Sequence, residues 1–276
     1  MPELPEVQTV VNELSNCALN QKITAVHIIN PKLIKNTTPA KFKTCLVGEK
    51  IKSISRVGKY LIFHLTNKKV MVSHLRMEGK YFYDDINEPY DKKHVLIRFV
   101  LNDKNELRYH DTRRFGTFNI YNDVDYLESN ELNKLALDPI DKKFNGNYLF
   151  DNIHDSNRYI KTTLLDQTKV AGIGNIYADE ILFACKIHPQ VLAKDITLKQ
   201  AQLIAKKARE ILEWAIACNG TTIASYKFKK GHIGSFQEKL QVHTKVNKPC
   251  LKCNTLIKKI KVNGRGTYFC PKCQVL

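Results

Sequence analysis

The sequence predicts a multidomain α+β protein: a β-rich N-terminal half, a helical middle and a C-terminal hairpin flanked by cysteines. Three observations support this. Short β-rich runs separated by turns occupy residues 22–121, residues 175–219 follow a helical period, and two Cys-x2-Cys pairs bracket a strand-turn-strand pattern near the end of the chain. At roughly 150 residues per domain, the 276 residues suggest about two domains.

The N-terminal half begins with a helix and continues as strands. Val7, Val10, Val11 and Leu14 have i, i+3, i+4, i+7 spacing, which predicts an amphipathic helix over about residues 6–17. The β-rich runs that follow are 23–29, 51–55, 60–65, 70–74, 81–83, 95–101 and 107–110. Many short strands at close spacing indicate a sandwich or barrel rather than a βαβ sheet.

Beyond Asp123 the strand signal fades, and a polar stretch over about 138–157 is typical of a connection. Asn175 precedes an apolar helical run whose early acids, Asp179 and Glu180, suit a helix N-terminus. A longer helix is predicted from Thr197 to about Asn219, where a glycine ends it.

Composition and charge narrow the class of protein. With 43% hydrophobic and 26% charged residues, wholesale disorder is excluded, and no apolar run approaches the ~20 residues of a membrane span. The first residues do not resemble a signal peptide, so we expect a cytoplasmic protein. The net charge is +17, and residues 226–276 hold twelve Lys or Arg against one acid. This predicts a polyanionic partner, nucleic acid before anionic membrane; the alternative is a solvated Lys-rich surface.

The last four of the eight cysteines form the pattern Cys250-x2-Cys253-x16-Cys270-x2-Cys273, which is typical of one structural zinc ion. Paired disulfides or a redox Cys-x2-Cys site are the alternatives. Four thiolates would leave no open coordination position, so no catalytic metal is expected. The other four cysteines look like small buried hydrophobes.

Between the two cysteine pairs the sequence predicts a β-hairpin. Asn263-Gly264 is a strong turn signal between two β-rich runs. Arg265 then lies at or just past the hairpin tip, and lysines line one arm at positions 258, 259 and 261. A hairpin with cations at its tip is suited to contact phosphates.

Seven segments, in order, resemble the formamidopyrimidine-DNA glycosylase family. They are Met1-Pro-Glu-Leu-Pro-Glu-Val, Gly58-Lys-Tyr, Ser73-His-Leu-Arg-Met, Asp111-Thr-Arg-Arg-Phe-Gly, Leu164-Leu-Asp-Gln, Ala171-Gly-Ile-Gly-Asn-Ile-Tyr-Ala-Asp-Glu and Gly264-Arg-Gly-Thr-Tyr-Phe-Cys-Pro-Lys-Cys-Gln. The resemblance implies a base-excision enzyme that removes oxidised purines from double-stranded DNA held between its halves, nicks the strand, and acts as a monomer. It implies a catalytic β-sandwich with flanking helices over 1–122, a connection over 123–157, a helix-two-turns-helix domain over 158–238 and a zinc finger over 239–276.

The resemblance also implies catalytic roles. Removal of Met1 would expose Pro2 as a secondary-amine nucleophile, whose pKa near 8 leaves a useful neutral fraction. Glu3 is then the proton donor and Glu6 a supporting group, with helix capping as the alternative for both. Lys59 would assist β-elimination, although a lysine in a turn is usually solvent-facing. Arg265 would clamp phosphate and promote δ-elimination through its charge.

Further residues match DNA-contacting positions of the family. Phosphate contacts are expected at His74, Lys161 and Asn175, and further DNA contacts at His94 and Arg114. The alternative for Asn175 is that its amide only caps the helix that it begins. Where the family often has a basic residue this chain has Asn157, and Arg158 follows, so the corresponding DNA contact is expected at Arg158. Met77, Arg113 and Phe115 match the intercalating residues, the alternative being that Met77 and Phe115 belong to the core. Residues 220–237 resemble the loop that covers a flipped base.

Two rival functions remain at this stage. The sister family that acts on oxidised pyrimidines shares Pro2, Glu3, the helical module and the zinc finger. A zinc-finger DNA-binding protein without catalysis is the second rival, and the presence of Pro2, Glu3 and Lys59 argues against it. In the cell, a DNA-binding protein of this kind would be cytoplasmic and associated with the nucleoid.

Overall fold

The computed structural model describes residues 1–221 and 234–276, which form two compact units. One unit holds Met1–Asn133, and the other holds Lys134–Thr221 together with Ser235–Leu276. The stretch predicted as a connection, 123–157, is therefore divided between the units, and its second part contains a helix that the polar sequence did not suggest.

The N-terminal unit is a sandwich of two antiparallel four-stranded sheets, ordered β1-β6-β7-β5 and β2-β3-β4-β8. Its elements are α1 (Leu4–Ala18), β1 (Ile23–Ile28), α2 (Pro39–Leu46), β2 (Ile51–Val57), β3 (Tyr60–Leu65), β4 (Lys69–His74), β5 (Lys80–Asp85), β6 (Val95–Leu101), β7 (Asn105–His110) and β8 (Thr117–Asn122). The predicted sandwich and the seven predicted strands are confirmed. Two elements were not predicted: α2, which is short and buries only Phe42 and Leu46, and β8, whose buried residues include the polar Thr117 and Asn119.

Aromatic side chains join the two sheets across the sandwich. Phe63 of β3 lies 5.8 Å from Tyr81 of β5, and Tyr109 of β7 lies 4.8 Å from Phe118 of β8, edge to face. Such pairs contribute roughly 0.5–1.5 kcal/mol each beyond the burial of their area. The apolar face of α1 is buried in the same core, which fixes the start of that helix relative to the sheets.

The second unit combines helices and a hairpin: α3 (Gly146–Ile153), α4 (Ile160–Leu164), α5 (Asn175–Ala184), α6 (Leu198–Ala217), β9 (Lys258–Val262) and β10 (Arg265–Phe269). The predicted long helix is confirmed as α6, which begins with a capping box between Thr197 and Gln200. Phe183 of α5 packs in one cluster with Val242, Ile257 and two of the zinc-finger cysteines. This shared core explains why helices and hairpin form one unit.

Within the described residues, no helix combines the length and apolar character required to span a membrane.

Candidate functional site

The start of α1 holds a carboxylate next to Pro2. Glu3 is only 3% exposed, and it forms a capping box with Glu6: the Glu3 N–H donates to Glu6 Oε2 at 2.9 Å, and the Glu3 carboxylate accepts the Glu6 N–H. Helix capping is therefore present for both acids. The capping box also fixes the orientation of the Glu3 carboxylate next to Pro2. Pro2 itself is half-buried.

Lys59 lies in the tight turn between β2 and β3 and is buried, at 5% exposure, so the solvent-facing alternative is wrong. Gly58 takes a φ of +55°, a conformation that favours glycine. Arg56 donates to Gln8 of α1 at 2.9 Å and to the Gly58 carbonyl at 3.4 Å. Hydrogen bonds of Arg56 thus connect the turn that carries Lys59 to α1, the helix that follows Pro2 in the sequence.

His74, at the end of β4, is buried and neutral. Its Nδ1 accepts the Arg76 N–H at 2.9 Å, and its ring meets Tyr60 edge to face at 4.4 Å. Burial, together with the nearby charges of Arg76 and Lys59, lowers the pKa of His74 to about 3. With Nδ1 as acceptor, the ring proton is on Nε2, so His74 can offer a phosphate a neutral N–H donor but no positive charge.

This buried imidazole predicts a pH dependence of stability. The unfolded chain protonates His74 near pH 6.5, whereas the folded protein keeps it neutral down to about pH 3. Its contribution is therefore complete above pH 6.5 and falls with decreasing pH, by up to about 1.4 kcal/mol per unit. In His74→Asn the amide oxygen can still accept the Arg76 N–H, and we expect a shallower slope of unfolding free energy between pH 6.5 and 4 in urea titrations. Equal slopes would contradict the prediction.

Two exposed loops carry the expected intercalating side chains. Met77 is 38% and Phe115 52% exposed, so the alternative that they belong to the core is wrong. The Arg113 guanidinium lies 4.8 Å from the centre of the Phe115 ring. Beside these residues, Arg76 and Arg114 adopt left-handed φ values of +54° and +58°, which are uncommon for residues with a Cβ. Both loops therefore present their tips through strained turns.

Asp111 shapes the second loop, a role that the sequence reasoning missed. Its fully buried carboxylate accepts the N–H of Arg113 on Oδ1 and the N–H groups of Phe115 and Gly116 on Oδ2, each at 2.9 Å. The sequence signal for this role is an aspartate at the start of a turn, because its short side chain can accept hydrogen bonds from the backbone N–H groups that follow.

The two loops meet at the phenol of Tyr109. A Cβ added at Gly79 would lie 2.2 Å from the Tyr109 hydroxyl, and one at Gly116 would lie 1.7 Å from it. Tyr109 also donates to Asp111 Oδ2 at 3.4 Å. Glycine is required at both positions because the backbone of each loop approaches this one side chain.

Asp111→Asn is expected to lower the free energy of unfolding by about 1–3 kcal/mol, because an amide has one acceptor oxygen and leaves buried N–H groups without a partner. Binding to a lesion-containing duplex should also weaken, because the loop that carries Arg113 and Phe115 is less well ordered. Asp103→Asn, at an exposed turn residue, is the matched control and should stay within about 0.5 kcal/mol. Urea unfolding measures both variants, and equal stabilities would argue against the role of Asp111.

Three other expected DNA contacts lie at or near the surface. His94 is half-buried, with its Nδ1 2.6 Å from Asp91 Oδ2, and Arg114 is exposed. Arg158 is exposed and pairs with Asp166 at 2.8 Å, so a phosphate would have to compete with this carboxylate. Of the expected lesion-covering loop 220–237, residues 222–233 fall outside the described part of the chain.

Lys161 and Asn175 support the hairpin. Lys161 is 0% exposed, with its Nζ 2.7 Å from Asp179 Oδ1, and it donates to Thr267 Oγ1 at 2.8 Å and to the Gly266 carbonyl at 3.2 Å. Asn175 Nδ2 donates to the same carbonyl at 3.1 Å. Because the ammonium group of Lys161 is enclosed by protein, it holds the hairpin backbone in place, and its contact with a phosphate stays a prediction.

The structure corrects two expectations about α5. Its N-cap is Gly174, so Asn175 is the first helical residue and does not cap the helix. The acids expected near the N-terminus are buried further along: Glu180 accepts the backbone N–H groups of residues 241–243, and burial raises its pKa. Asp179 pairs with His243 Nδ1 at 2.8 Å and accepts the Tyr268 N–H at 3.2 Å. These two carboxylates of α5 thus hold the backbone of the zinc-finger region against the helix.

The predicted hairpin and its tip are confirmed. Asn263 and Gly264 have φ values of +46° and +76°, as a two-residue type I′ turn requires, and Val262 pairs with Arg265. Arg265 is exposed immediately after this turn. The backbone contacts of Lys161 and Asn175 reach Gly266, the residue next to it.

The four finger cysteines fit a zinc ion. Their sulfur atoms lie within 4.8 Å of one another, with Cys250 and Cys273 at 3.9 Å and Cys253 at 3.4 Å from Cys270. Tetrahedral zinc with bonds of about 2.3 Å separates sulfurs by about 3.8 Å, whereas a disulfide needs about 2.05 Å. All four are free thiols, so the disulfide alternative is wrong. Hydrogen bonds from Thr255 lower the pKa of Cys253 to about 6, whereas burial raises the pKa values of Cys270 and Cys273.

Three family models match the chain in succession. They are the formamidopyrimidine-DNA glycosylase N-terminal domain over residues 1–118, the H2TH domain of the same glycosylase over 135–227, and a zinc finger found in FPG and IleRS over 247–275. These matches cover most of the chain and fall in the order that the sequence motifs suggest.

Relatives and solved structures agree over the full length. The chain is 51% identical to the formamidopyrimidine-DNA glycosylase of Mycoplasma pneumoniae, covering 100% of this chain and 99% of that one. It is 52% identical to the enzyme of that name from Ureaplasma parvum, covering 99% and 100%.

Among solved structures, it is similar to Lactococcus lactis FPG in complex with a FAPY-dG containing DNA, with a TM-score of 0.92, 37% identity and coverage of 99% and 100%. A complex of that FPG with an oxidised pyrimidine containing DNA also gives a TM-score of 0.92 at 37% identity, with both chains fully covered. The fold class, the zinc finger and the enzyme class predicted from sequence are thereby confirmed: the chain belongs to the formamidopyrimidine-DNA glycosylase family.

Proposed function

We propose that this chain removes oxidised purines, 8-oxoguanine and formamidopyrimidines, from double-stranded DNA and then cleaves the strand through a covalent intermediate on Pro2. One observation carries the proposal: a buried carboxylate, Glu3, is locked by a capping box directly after Pro2. Membership of the glycosylase family supports the reaction class.

The reaction follows from the chemistry of a secondary amine. Once Met1 is removed, the neutral Pro2 nitrogen attacks C1′ of the damaged nucleotide, and the bond from C1′ to the base breaks as the base takes a proton. Glu3 is the proposed proton donor for base departure and sugar ring opening. The resulting iminium ion is an electron sink, so the C2′ proton becomes acidic and its loss expels the 3′ phosphate by β-elimination.

Lys59 and Arg265 are proposed to serve the elimination steps. Lys59 is held in its turn by the Arg56 contacts and would act next to the lesion during β-elimination. Arg265 is exposed at the hairpin tip. Its guanidinium stays charged at neutral pH, so it would stabilise the departing 5′ phosphate in δ-elimination rather than supply a proton.

Access to a stacked base requires that the nucleotide flips out of the duplex. Met77 and Phe115 would fill the space left behind, and Arg113 would hydrogen-bond the orphaned cytosine. The exposure of these side chains on two loops joined at Tyr109 supports this role. His74, as a neutral donor, together with His94, Arg114, Arg158 and Asn175, would contact the DNA backbone.

The test is borohydride trapping on a duplex with 8-oxoguanine opposite cytosine, using protein from which Met1 has been removed. We expect a covalent protein–DNA adduct that is absent when one residue is added ahead of Pro2. Because a related FPG forms a complex with oxidised-pyrimidine DNA, binding to such DNA does not discriminate between the sister families. Single-turnover excision rates on the two lesions do discriminate between them. Faster excision of the oxidised pyrimidine would assign the chain to the pyrimidine-specific activity instead. Salt-sensitive binding with no adduct on either duplex would overturn the proposal.

Asp179→Asn is expected to separate the two elimination steps. Loss of the charge weakens the ion pair with Lys161 and the hydrogen bond from the Tyr268 N–H. The hairpin tip, and with it Arg265, is then held less firmly in position. We expect the ratio of δ- to β-elimination products to fall about tenfold to a hundredfold, while trapping at Pro2 is unchanged. Glu210→Gln, at an exposed acid of α6, is the control. An unchanged ratio at full zinc content would contradict the prediction.

We further propose that the protein acts as a monomer associated with the nucleoid, since its net charge of +17 favours binding to any DNA. The proposed domain boundaries are a catalytic sandwich ending near residue 122, a connection to 157, a helix-two-turns-helix domain to 238 and a zinc finger to 276.

A further inference from the structure

We propose that Asp91, His94 and His110 form a second metal site that binds an exchangeable divalent transition-metal ion such as zinc. Asp91 Oδ2 lies 2.6 Å from His94 Nδ1 and 3.5 Å from His110 Nε2. The three candidate ligand atoms lie within 4.8 Å of one another. A hydrogen bond between an aspartate and one histidine is ordinary; here a second imidazole, that of His110 on β7, also approaches the same carboxylate oxygen.

Backbone hydrogen bonds and packing hold the Asp91 carboxylate and the His110 ring in position. The Lys93 N–H donates to Asp91 Oδ1 at 2.9 Å and the Val95 N–H donates to the Asp91 carbonyl at 3.0 Å, which leaves Oδ2 facing the imidazoles. His110 ends β7 opposite Val95 of β6, and the edge-to-face contact with Phe82 at 5.8 Å restrains its ring. The site thus rests on backbone geometry and a packed ring.

The donor set suits zinc. Two imidazole nitrogens and a carboxylate oxygen are common zinc ligands at about 2.0–2.2 Å, which places ligand atoms roughly 3.0–3.5 Å apart. Asp91 is exposed and His94 half-buried, so side-chain rotation can close the remaining distance. Lys80 lies opposite His110, and Lys92 and Lys93 follow Asp91; these cations weaken binding. The ion should therefore exchange readily, unlike the ion held by four thiolates.

Occupation of this site would affect DNA binding. His94 is one of the proposed DNA contacts, and an ion inserted between its Nδ1 and Asp91 Oδ2 would widen their 2.6 Å separation to roughly 3.0–3.5 Å and so displace the ring. We infer that the metal and DNA compete. This consequence, unlike the site itself, rests on the proposed function.

The experiment uses the full chain with its finger already loaded with zinc. Equilibrium dialysis against free zinc should give two zinc ions per chain for the wild type and one for His110→Gln and for Asp91→Asn. His27→Gln, an exposed histidine on β1 of the same sheet, is the matched control and should retain two. A single zinc in the wild type, or a second zinc that persists in both ligand variants, would overturn the site.

Competition is measured separately with an undamaged duplex, so that catalysis plays no part. At free zinc ten times its dissociation constant for the site, the apparent Kd for DNA should rise about tenfold in the wild type. His110→Gln, which retains His94, should show no zinc dependence. Two bound zinc ions without any change in DNA affinity would refute the competition. Failure of the glycosylase assay would leave the zinc stoichiometry unaffected.

Discussion

Replacing Glu3 by glutamine is expected to slow excision of the damaged base by about 10²–10⁴-fold, the usual contribution of a positioned general acid. The amide oxygen can still accept the Glu6 N–H, so the start of α1 keeps its capping interaction while the proton donor is lost. Single-turnover excision of 8-oxoguanine measures the effect. Duplex affinity, measured in parallel, should be nearly unchanged.

Glu6→Gln is the matched control, because it makes the same chemical change at the other half of the capping box. Because Glu6 is expected only to support the reaction, its excision rate should fall far less than that of Glu3→Gln. Covalent trapping of Glu3→Gln on a preformed abasic site should fall less than base excision, since the base has already departed. If both variants lost excision equally, the defect would lie in the helix start and the role of Glu3 as proton donor would be refuted.

Removing the zinc ion is expected to unfold the C-terminal hairpin. Structural zinc in small fingers contributes about 10–16 kcal/mol, and the finger has only a small apolar cluster around Cys250, Cys270 and Ile257. Because Arg265 and the neighbouring lysines lose their fixed positions, duplex affinity should fall by about tenfold or more and its salt dependence should become weaker. Zinc release by a chelator, followed with circular dichroism and a salt series of binding curves, measures both effects.

The N-terminal sandwich should remain folded after zinc removal, because its core is built from residues 7–118 and includes none of the finger cysteines. Cys253→Ser should reproduce the effect of the chelator, whereas Cys218→Ser, outside the finger, should not. Retention of full duplex affinity by the metal-free protein would show that the finger does not contribute to binding.

Patterns that lie close together in the sequence predicted much of this protein. Alternating and periodic apolar residues predicted the strands and the long helices, Asn263-Gly264 predicted the hairpin with Arg265 at its tip, and the cysteine spacing predicted the zinc ligands. The ordered motifs predicted the family. Each of these signals depends on local backbone preferences or on a short spacing, so neighbouring residues determine it.

The tertiary structure alone decided the environments of the polar residues. From sequence, Lys161 was expected at phosphate and Asp179 near a helix start, yet both are buried partners beneath the hairpin, 18 positions apart in the chain. Asp111 and Tyr109 organise two loops, and His74 is neutral because its surroundings exclude water. Helix α2 and strand β8 were missed because their few apolar residues become buried only against other elements. The burial, charge state and pairing of a polar residue depend on contacts between segments that are distant in the sequence. Local sequence patterns carry no information about those contacts.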